Sequence, residues 1–262
     1  MSRTLARHVC DGLLIEARDA LLTVSFNRPE KRNAVTLAMY RALGAVFTEA
    51  AETNGIRAIL LRGTPSCFSS GADISDFPQG EGRDAVIAAH REISDAAVQA
   101  LADCPQPTIA FIDGLCYGGG LSFAMACDFR LATTPSTFAI PAARLGVVYG
   151  QPDTLRLHAL VGLAPAKRML FIGDRIDAPQ ALAAGLIDEI AEAPDALIAS
   201  LLARAPLSIA GAKTTLNAIA DQALVARAPL IAETVTRAMR SRDLKEATAA
   251  FLAKRPPTFT GE

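Results

Sequence analysis

The sequence predicts a mixed α/β fold built on a parallel, largely buried sheet and closed by a helical C-terminal region. Three observations carry the prediction. Short apolar runs at 57–63 and 108–112 are separated by stretches of helical character, the texture of β-α-β passages. Each run is followed by a glycine-bearing turn, around Gly71 and around Gly118–Gly120. From Pro165 onward strand-like runs nearly disappear and helix starts and stops take over.

Length and composition agree with this class. The 262 residues suffice for one large domain, or for a domain with a small appendage. Hydrophobic residues make up 51% and charged residues 20%, enough for a substantial core. A formal net charge of −1 gives no global basic field, so neither nucleic acid nor an anionic membrane surface is expected as a partner. Cys10, Cys67, Cys104, Cys116 and Cys127 are odd in number and scattered, with no metal-ligand spacing to the three histidines. Reduced thiols, no metal and a cytoplasmic location are the expectation. The first twelve residues lack the apolar run of a secretory signal, and no run is long enough to span a bilayer.

In chain order, two strands are expected at 12–17 and 20–26 around Arg18-Asp19, the second alternating Leu22, Val24 and Phe26 with polar residues. A polar loop with Arg28, Lys31 and Arg32 follows; alone, such a loop is usually only solvated. Thr36 is placed to cap a helix to about Thr53, with Met39, Leu43, Val46, Phe47 and Ala50 on one face. A buried strand at 57–63, a helix over about 84–103 and a strand at 108–112 come next, then short strands near 129–133 and 137–140. Asp177 and Pro179 open a further helix that Gly185 stops, before a last short strand at 186–190. Helices are expected over about 195–204, 207–222, 226–241 and 243–254.

The stretch from Pro107 to Asp128 organises the rest. It reads as a buried strand, a turn, Gly118-Gly119-Gly120 and the start of a helix. Glycine lets backbone N–H groups approach a ligand, and the first amides of a helix lack intrahelical partners. Such a place can hold an anion, or an oxygen that becomes anionic during reaction. A tight strand-to-helix turn without a ligand is the alternative reading.

An ordered set of motifs resembles the crotonase (enoyl-CoA hydratase/isomerase) superfamily. They are Asn27-Arg28-Pro29, Phe68-Ser-Ser-Gly71-Ala72-Asp73-Ile74, Asp113-Gly114 with Gly118-Gly-Gly, Cys127-Asp128, and Thr137-Phe138 with Arg144-Leu-Gly-Val. The series continues through Ile172-Gly-Asp-Arg-Ile176, Ala183-Ala-Gly-Leu-Ile-Asp188 and Phe251-Leu-Ala-Lys-Arg-Pro-Pro257. The resemblance implies a spiral of β-β-α turns over 1–195 and a helical trimerisation region over 196–262. It also implies an acyl-CoA substrate, a homotrimer or a hexamer of two trimers, and no cofactor beyond the coenzyme A of the substrate. Carried over by position, the backbone amides of Ala72 and Gly119 would stabilise a thioester enolate. Gly71, Asp73, Ile74, Gly118 and Ala142 would lie along the substrate. Arg28, Lys31 and Arg32 would meet the nucleotide phosphates, and Phe251 and Lys254 the adenine end.

The chain also departs from the family pattern. The two positions at which hydratases of the family carry glutamates hold Ser122 and Ala142, and Gly150 stands where other members have an aspartate. Serine is a weak base near neutral pH and alanine none, so the two-glutamate addition of water is not supported. Tyr149 falls where methylmalonyl-CoA decarboxylase has a tyrosine, although Ala72 and Pro141 replace that enzyme's histidine and threonine. Asp153 reads as a surface or cap residue, with a surrogate acid as the alternative. Arg144 reads as paired to a neighbouring carboxylate, His158 as a helix histidine, and Asp128 as satisfying backbone groups. His90 lies on the helix expected to cover the acyl pocket, around 76–100. The reading is an acyl-CoA-processing enzyme of lyase or hydratase type with an atypical acid/base set. A decarboxylase using Tyr149 and a non-catalytic acyl-CoA-binding trimer are the alternatives.

Overall fold

A computed structural model describes residues 10–76 and 83–262. Residues 1–9 of the N-terminal stretch read for a signal, and residues 77–82 of the expected pocket-covering segment, lie outside the described residues. The described residues up to Cys104, with Thr108–Pro194, form one compact unit; Pro105–Pro107 with Asp195–Glu262 form a second.

The first unit is wound in repeating passes. β1 (Leu13–Arg18) and β2 (Leu21–Phe26) pair as an antiparallel hairpin and lead to α1 (Leu37–Glu52). β3 (Ala58–Gly63) and β4 (Cys67–Ser69) lead to α2 (Arg83–Ala102); β5 (Thr108–Ile112) and β6 (Leu115–Tyr117) lead to α3 (Gly119–Ala126). β7 (Phe129–Ala132) and β8 (Thr137–Ala139) precede α4 (Gln151–Val161) and α5 (Leu163–Ile172). β9 (Ile176–Asp177), α6 (Ala178–Ala183) and β10 (Glu189–Ile190) finish the unit. The long strand of each pass enters a six-stranded sheet ordered β1-β2-β3-β5-β7-β10, parallel beyond the first hairpin. The short strand enters a four-stranded sheet ordered β4-β6-β8-β9.

Local chemistry explains the elements. Thr36 caps α1 by accepting the Met39 N–H at 3.2 Å. Asp177 opens α6 with a full capping box to Gln180 and a proline in the first turn. β3 is buried along four successive residues, as a strand covered on both faces should be. Helix α3 is buried on every side except at Gly119, which places it in the core. Around it Phe26, Phe47, Phe68, Tyr40 and Phe123 pack ring to ring, with Tyr40 and Phe123 stacked at 5.6 Å.

The last strand is tied to the sheet by a buried charge. Arg130 on β7 is 4% exposed and meets the Asp188 carboxylate at 3.0 and 3.2 Å. Its backbone N–H donates to the same carboxylate at 2.7 Å, while Asp188 N–H donates back to Arg130 C=O. Asp128 accepts both the backbone N–H and the hydroxyl of Thr108, the backbone-satisfying role its position suggested.

The second unit contains α7 (Asp195–Leu202), α8 (Pro206–Ala220), α9 (Leu224–Arg240) and α10 (Arg242–Leu252). Its tail folds back on α10: Asp243 accepts the N–H groups of Thr260 and Gly261 at 2.7 and 2.9 Å. Glu246 holds Arg255 through two bonds and accepts Thr258 N–H. Among the described residues no single helix is long and apolar enough to cross a membrane.

Candidate active site

β4 and β6 are parallel neighbours, with Cys67 opposite Leu115 and Ser69 opposite Cys116. The turns that leave their carboxyl ends therefore emerge side by side, where ligands of open parallel sheets bind. After β4 the chain reaches Gly71, whose φ of +101° favours glycine. A Cβ there would stand 3.0 Å from Tyr117 C=O and 3.1 Å from Gly119 N, so it would wedge the two turns apart.

Ala72 pairs with Val35 as an isolated parallel bridge: Val35 N–H donates to Gly71 C=O, and Asp73 N–H donates to Val35 C=O. This pattern turns the N–H of Ala72 itself away from Val35. Gly119 is the first residue of α3, so its N–H has no intrahelical partner. Among the described residues neither amide donates a hydrogen bond. The two amides lie close together, since a Cβ on Gly119 would lie 3.4 Å from Ala72 N. That Cβ would also land on the hydroxyl of Tyr40, which is 2% exposed and packed edge-on against His90 at 5.3 Å. Burial holds the Tyr40 phenol well above its ordinary pKa, so it stays protonated.

Behind Gly119, three side chains form a chain of short contacts. Ser122, 4% exposed on α3, lies 2.6 Å from Asp153 Oδ2 and 2.7 Å from the Tyr149 hydroxyl. Tyr149 Oη lies 3.2 Å from the carbonyl oxygen of Gly118. Asp153 is buried at 8% exposure and its other oxygen meets Arg156 at 3.3 Å. This corrects the surface-or-cap reading of Asp153. The residue stands four and eight positions before Leu157 and Val161, both buried, on the inward stripe of α4. That spacing was the signal in the sequence. Burial pushes the Asp153 carboxyl up, against the opposing pull of the Ser122 hydroxyl and Arg156. Burial, with the nearby Asp153 carboxylate, also pushes the Tyr149 phenol up.

The remaining expected site residues separate into groups. Arg28 turns away from the exposed Lys31 and Arg32: it donates to Asp73 Oδ2 at 2.8 Å and to Ala34 C=O at 2.7 Å. Asp73 also accepts the hydroxyl and N–H of Ser75. The Ser75 hydroxyl and then Arg28 hold its carboxyl at about 2, against partial desolvation, from an ordinary value of 3.8. The stability this supplies is complete above pH 3.8 and lost as pH falls towards 2. Asp73→Asn is therefore expected to be less stable than wild type at pH 5, with the gap closing between pH 4 and 2. Urea unfolding across that range measures it.

Lys31 and Arg32 lie beside the Gly71 turn, because Ser70 N–H donates to Arg32 C=O at 2.9 Å. Ile74 is exposed, while Ala142 is buried at the start of a 3-10 turn over Ala142–Leu145. Arg144 reaches Asp174 at 3.9 Å, and His158 sits exposed on α4. Phe251 in the last turn of α10 and Lys254 just beyond it, in the second unit, are both exposed. Tyr40 is the group of this site that the sequence reading did not place, and Asp153 the one it placed only as an alternative.

Passes of strand, strand and helix wound into two sheets, with paired amide-bearing turns at adjacent strand ends, define a crotonase fold. The family model for enoyl-CoA hydratase/isomerase matches residues 16–262, and the chain belongs to that family. Among its relatives is a probable enoyl-CoA hydratase of Mycobacterium tuberculosis, 34% identical over 94% of this chain and 98% of the relative. Another is an enoyl-CoA isomerase/hydratase of Mycosarcoma maydis, 31% identical over 90% and 91%. The crystal structure of an enoyl-CoA hydratase/carnithine racemase from Magnetospirillum magneticum superposes with a TM-score of 0.88. It is 32% identical, covering 97% of each chain.

Proposed function

We propose that this protein binds acyl-coenzyme A thioesters and processes them by holding the thioester oxygen, as it gains enolate charge, between the N–H groups of Ala72 and Gly119. One observation carries the reading: two backbone amides without partners among the described residues converge at the ends of adjacent strands. Donors fixed in place before the charge develops are worth most in such a site. Lys31 and Arg32, exposed beside the Gly71 turn, suit the nucleotide phosphates, and Phe251 and Lys254 the adenine end. Arg28 has its charge committed to Asp73 and serves the turn's shape instead. No cofactor is needed beyond the coenzyme A of the substrate.

Ser122 and Tyr149, besides Tyr40, bring hydroxyls to the helix start that supplies the Gly119 amide. A decarboxylase-type reaction is the second reading, favoured by the Tyr149 hydroxyl beside Gly118. Crotonyl-CoA, malonyl-CoA and methylmalonyl-CoA, each followed by mass spectrometry, separate the two. Enoyl loss selects hydration and carbon dioxide loss selects decarboxylation. Calorimetric binding without turnover anywhere in the panel would leave an acyl-CoA carrier.

We further propose that copies of the chain cover the apolar face of the second unit. Leu216, Ile219, Val225, Leu230, Val235 and Met239 on α8 and α9 are all half or more exposed. Analytical ultracentrifugation is expected to show three or six copies. A monomer at micromolar concentration would exclude that assembly.

A further inference from the structure

The chain of contacts behind Gly119 contains a mismatch between donors and acceptors. Asp153 Oδ2 to Ser122 Oγ, Ser122 Oγ to Tyr149 Oη, and Tyr149 Oη to Gly118 O span 2.6, 2.7 and 3.2 Å. Three hydrogen bonds need three protons, and the two hydroxyls carry two. With Asp153 ionised, Ser122 donates to Asp153. The one phenol proton then goes to the nearer of its two acceptors, Ser122 Oγ at 2.7 Å, so that the Gly118 carbonyl at 3.2 Å receives nothing from the phenol. With a proton on Asp153 Oδ2, the first two bonds reverse and the third is added: Asp153 donates to Ser122, Ser122 to Tyr149, and Tyr149 to Gly118. Arg156 leaves Oδ2 available for that proton, because it pairs with Oδ1.

The last acceptor matters because the Gly118 carbonyl and the Gly119 N–H belong to one peptide unit. A donor on the carbonyl polarises that unit and makes its N–H a stronger donor, since hydrogen bonds in series reinforce one another. We infer that Asp153, Ser122 and Tyr149 form a reversible hydrogen-bond relay that sets the donor strength of the Gly119 amide. The inference rests on the proposed reading only in taking that amide to face a thioester oxygen.

The surroundings of Asp153 suit a group that changes state. Besides Ser122, it meets Arg156 from its own helix, and its charge is felt electrostatically by Tyr149 and by Tyr40 on α1 while it feels Asp95 on α2. Gln99 on α2 fixes Arg156 through a 2.6 Å bond. Burial and Asp95 favour the protonated form, while Ser122 and Arg156 favour the ionised one. Asp153 and Ser122 are thus positioning residues that act on the oxyanion donor through Tyr149.

Tyrosine absorbance reads the relay directly, because the protein has three tyrosines and no tryptophan. Wild type is expected to show a tyrosine difference-absorbance step as pH rises from 3 to 9, with its midpoint above the ordinary aspartate value. Tyr149→Phe should abolish the step. Ser122→Ala, which keeps the Asp153–Arg156 pair, should abolish it as well, whereas Ser122→Thr should restore it. A step that is absent from wild type, or that survives Ser122→Ala, overturns the relay.

The second arm uses bound butyryl-CoA and the infrared stretch of its thioester carbonyl. The stretch should lie at lower frequency below the step than above it, and lose this pH dependence in Ser122→Ala. A tyrosine step together with a pH-independent carbonyl stretch overturns the coupling to Gly119. Failure of butyryl-CoA to bind would overturn both the thioester reading and that coupling, with the tyrosine titration still deciding the relay itself.

Discussion

Gly119→Pro combined with Tyr40→Phe is expected to fold and to lose about 10²- to 10³-fold in thioester turnover, the usual effect of removing one oxyanion donor. Proline is tolerated at the first position of a helix because the N–H it removes has no intrahelical partner. Gly119 holds that position in α3. The obstacle is steric, since any Cβ at residue 119 lands on the Tyr40 hydroxyl. Removing that oxygen makes room while the ring keeps its stacking on Phe123. Thermal unfolding of the double variant and of Tyr40→Phe alone checks that the fold survives. Turnover near that of Tyr40→Phe would remove Gly119 from the oxyanion site.

Asp188→Ala is expected to cost about 3 kcal/mol of stability, near the lower bound for breaking a buried ion pair. Arg130 is almost completely buried, while Asp188 is only partly covered, so solvent can repair part of the loss. The guanidinium keeps its bonds to the carbonyls of Leu186 and Cys127. What disappears is the carboxylate that faces both the guanidinium and the Arg130 backbone N–H. Urea unfolding should show a lower midpoint with little change in slope. A midpoint shift worth less than about 1 kcal/mol would mean that those carbonyls and water suffice for the buried charge.

Much of the fold was legible because local signals agreed with the tertiary demand. The Thr36 cap, the alternation through Leu22, Val24 and Phe26, and the Asp177-Pro179 helix start each yield the element observed. Strand β6 was not legible: three residues, buried Cys116 between half-buried Leu115 and Tyr117, leave too short a run between two turns to detect a period. With it went the division into two sheets, although the neighbouring positions of β4 and β6 are what bring the two turns together. Gly71 and Gly119 were visible as residues needing close backbone approach. The Arg28–Asp73 pair was hidden because its members are 45 residues apart in sequence. Asp153 was misread for a different reason. A carboxylate in a helix's first turn ordinarily faces water, and only the burial of Leu157 and Val161 on the same stripe contradicts that expectation.

The oxyanion donors proposed here are main-chain groups, and this separates two kinds of sequence change. A substitution at residue 122, 149 or 153 alters which protons are available without removing either amide. The backbone path through Gly71 and Gly118 is fixed by positive-φ conformations that few other residues adopt, and Gly119 by the lack of room for a side chain beside Tyr40. On the proposed reading, substitution can therefore explore new reactions while the thioester cradle stays in place. The binding half resists mutation because it has almost no side chains to lose.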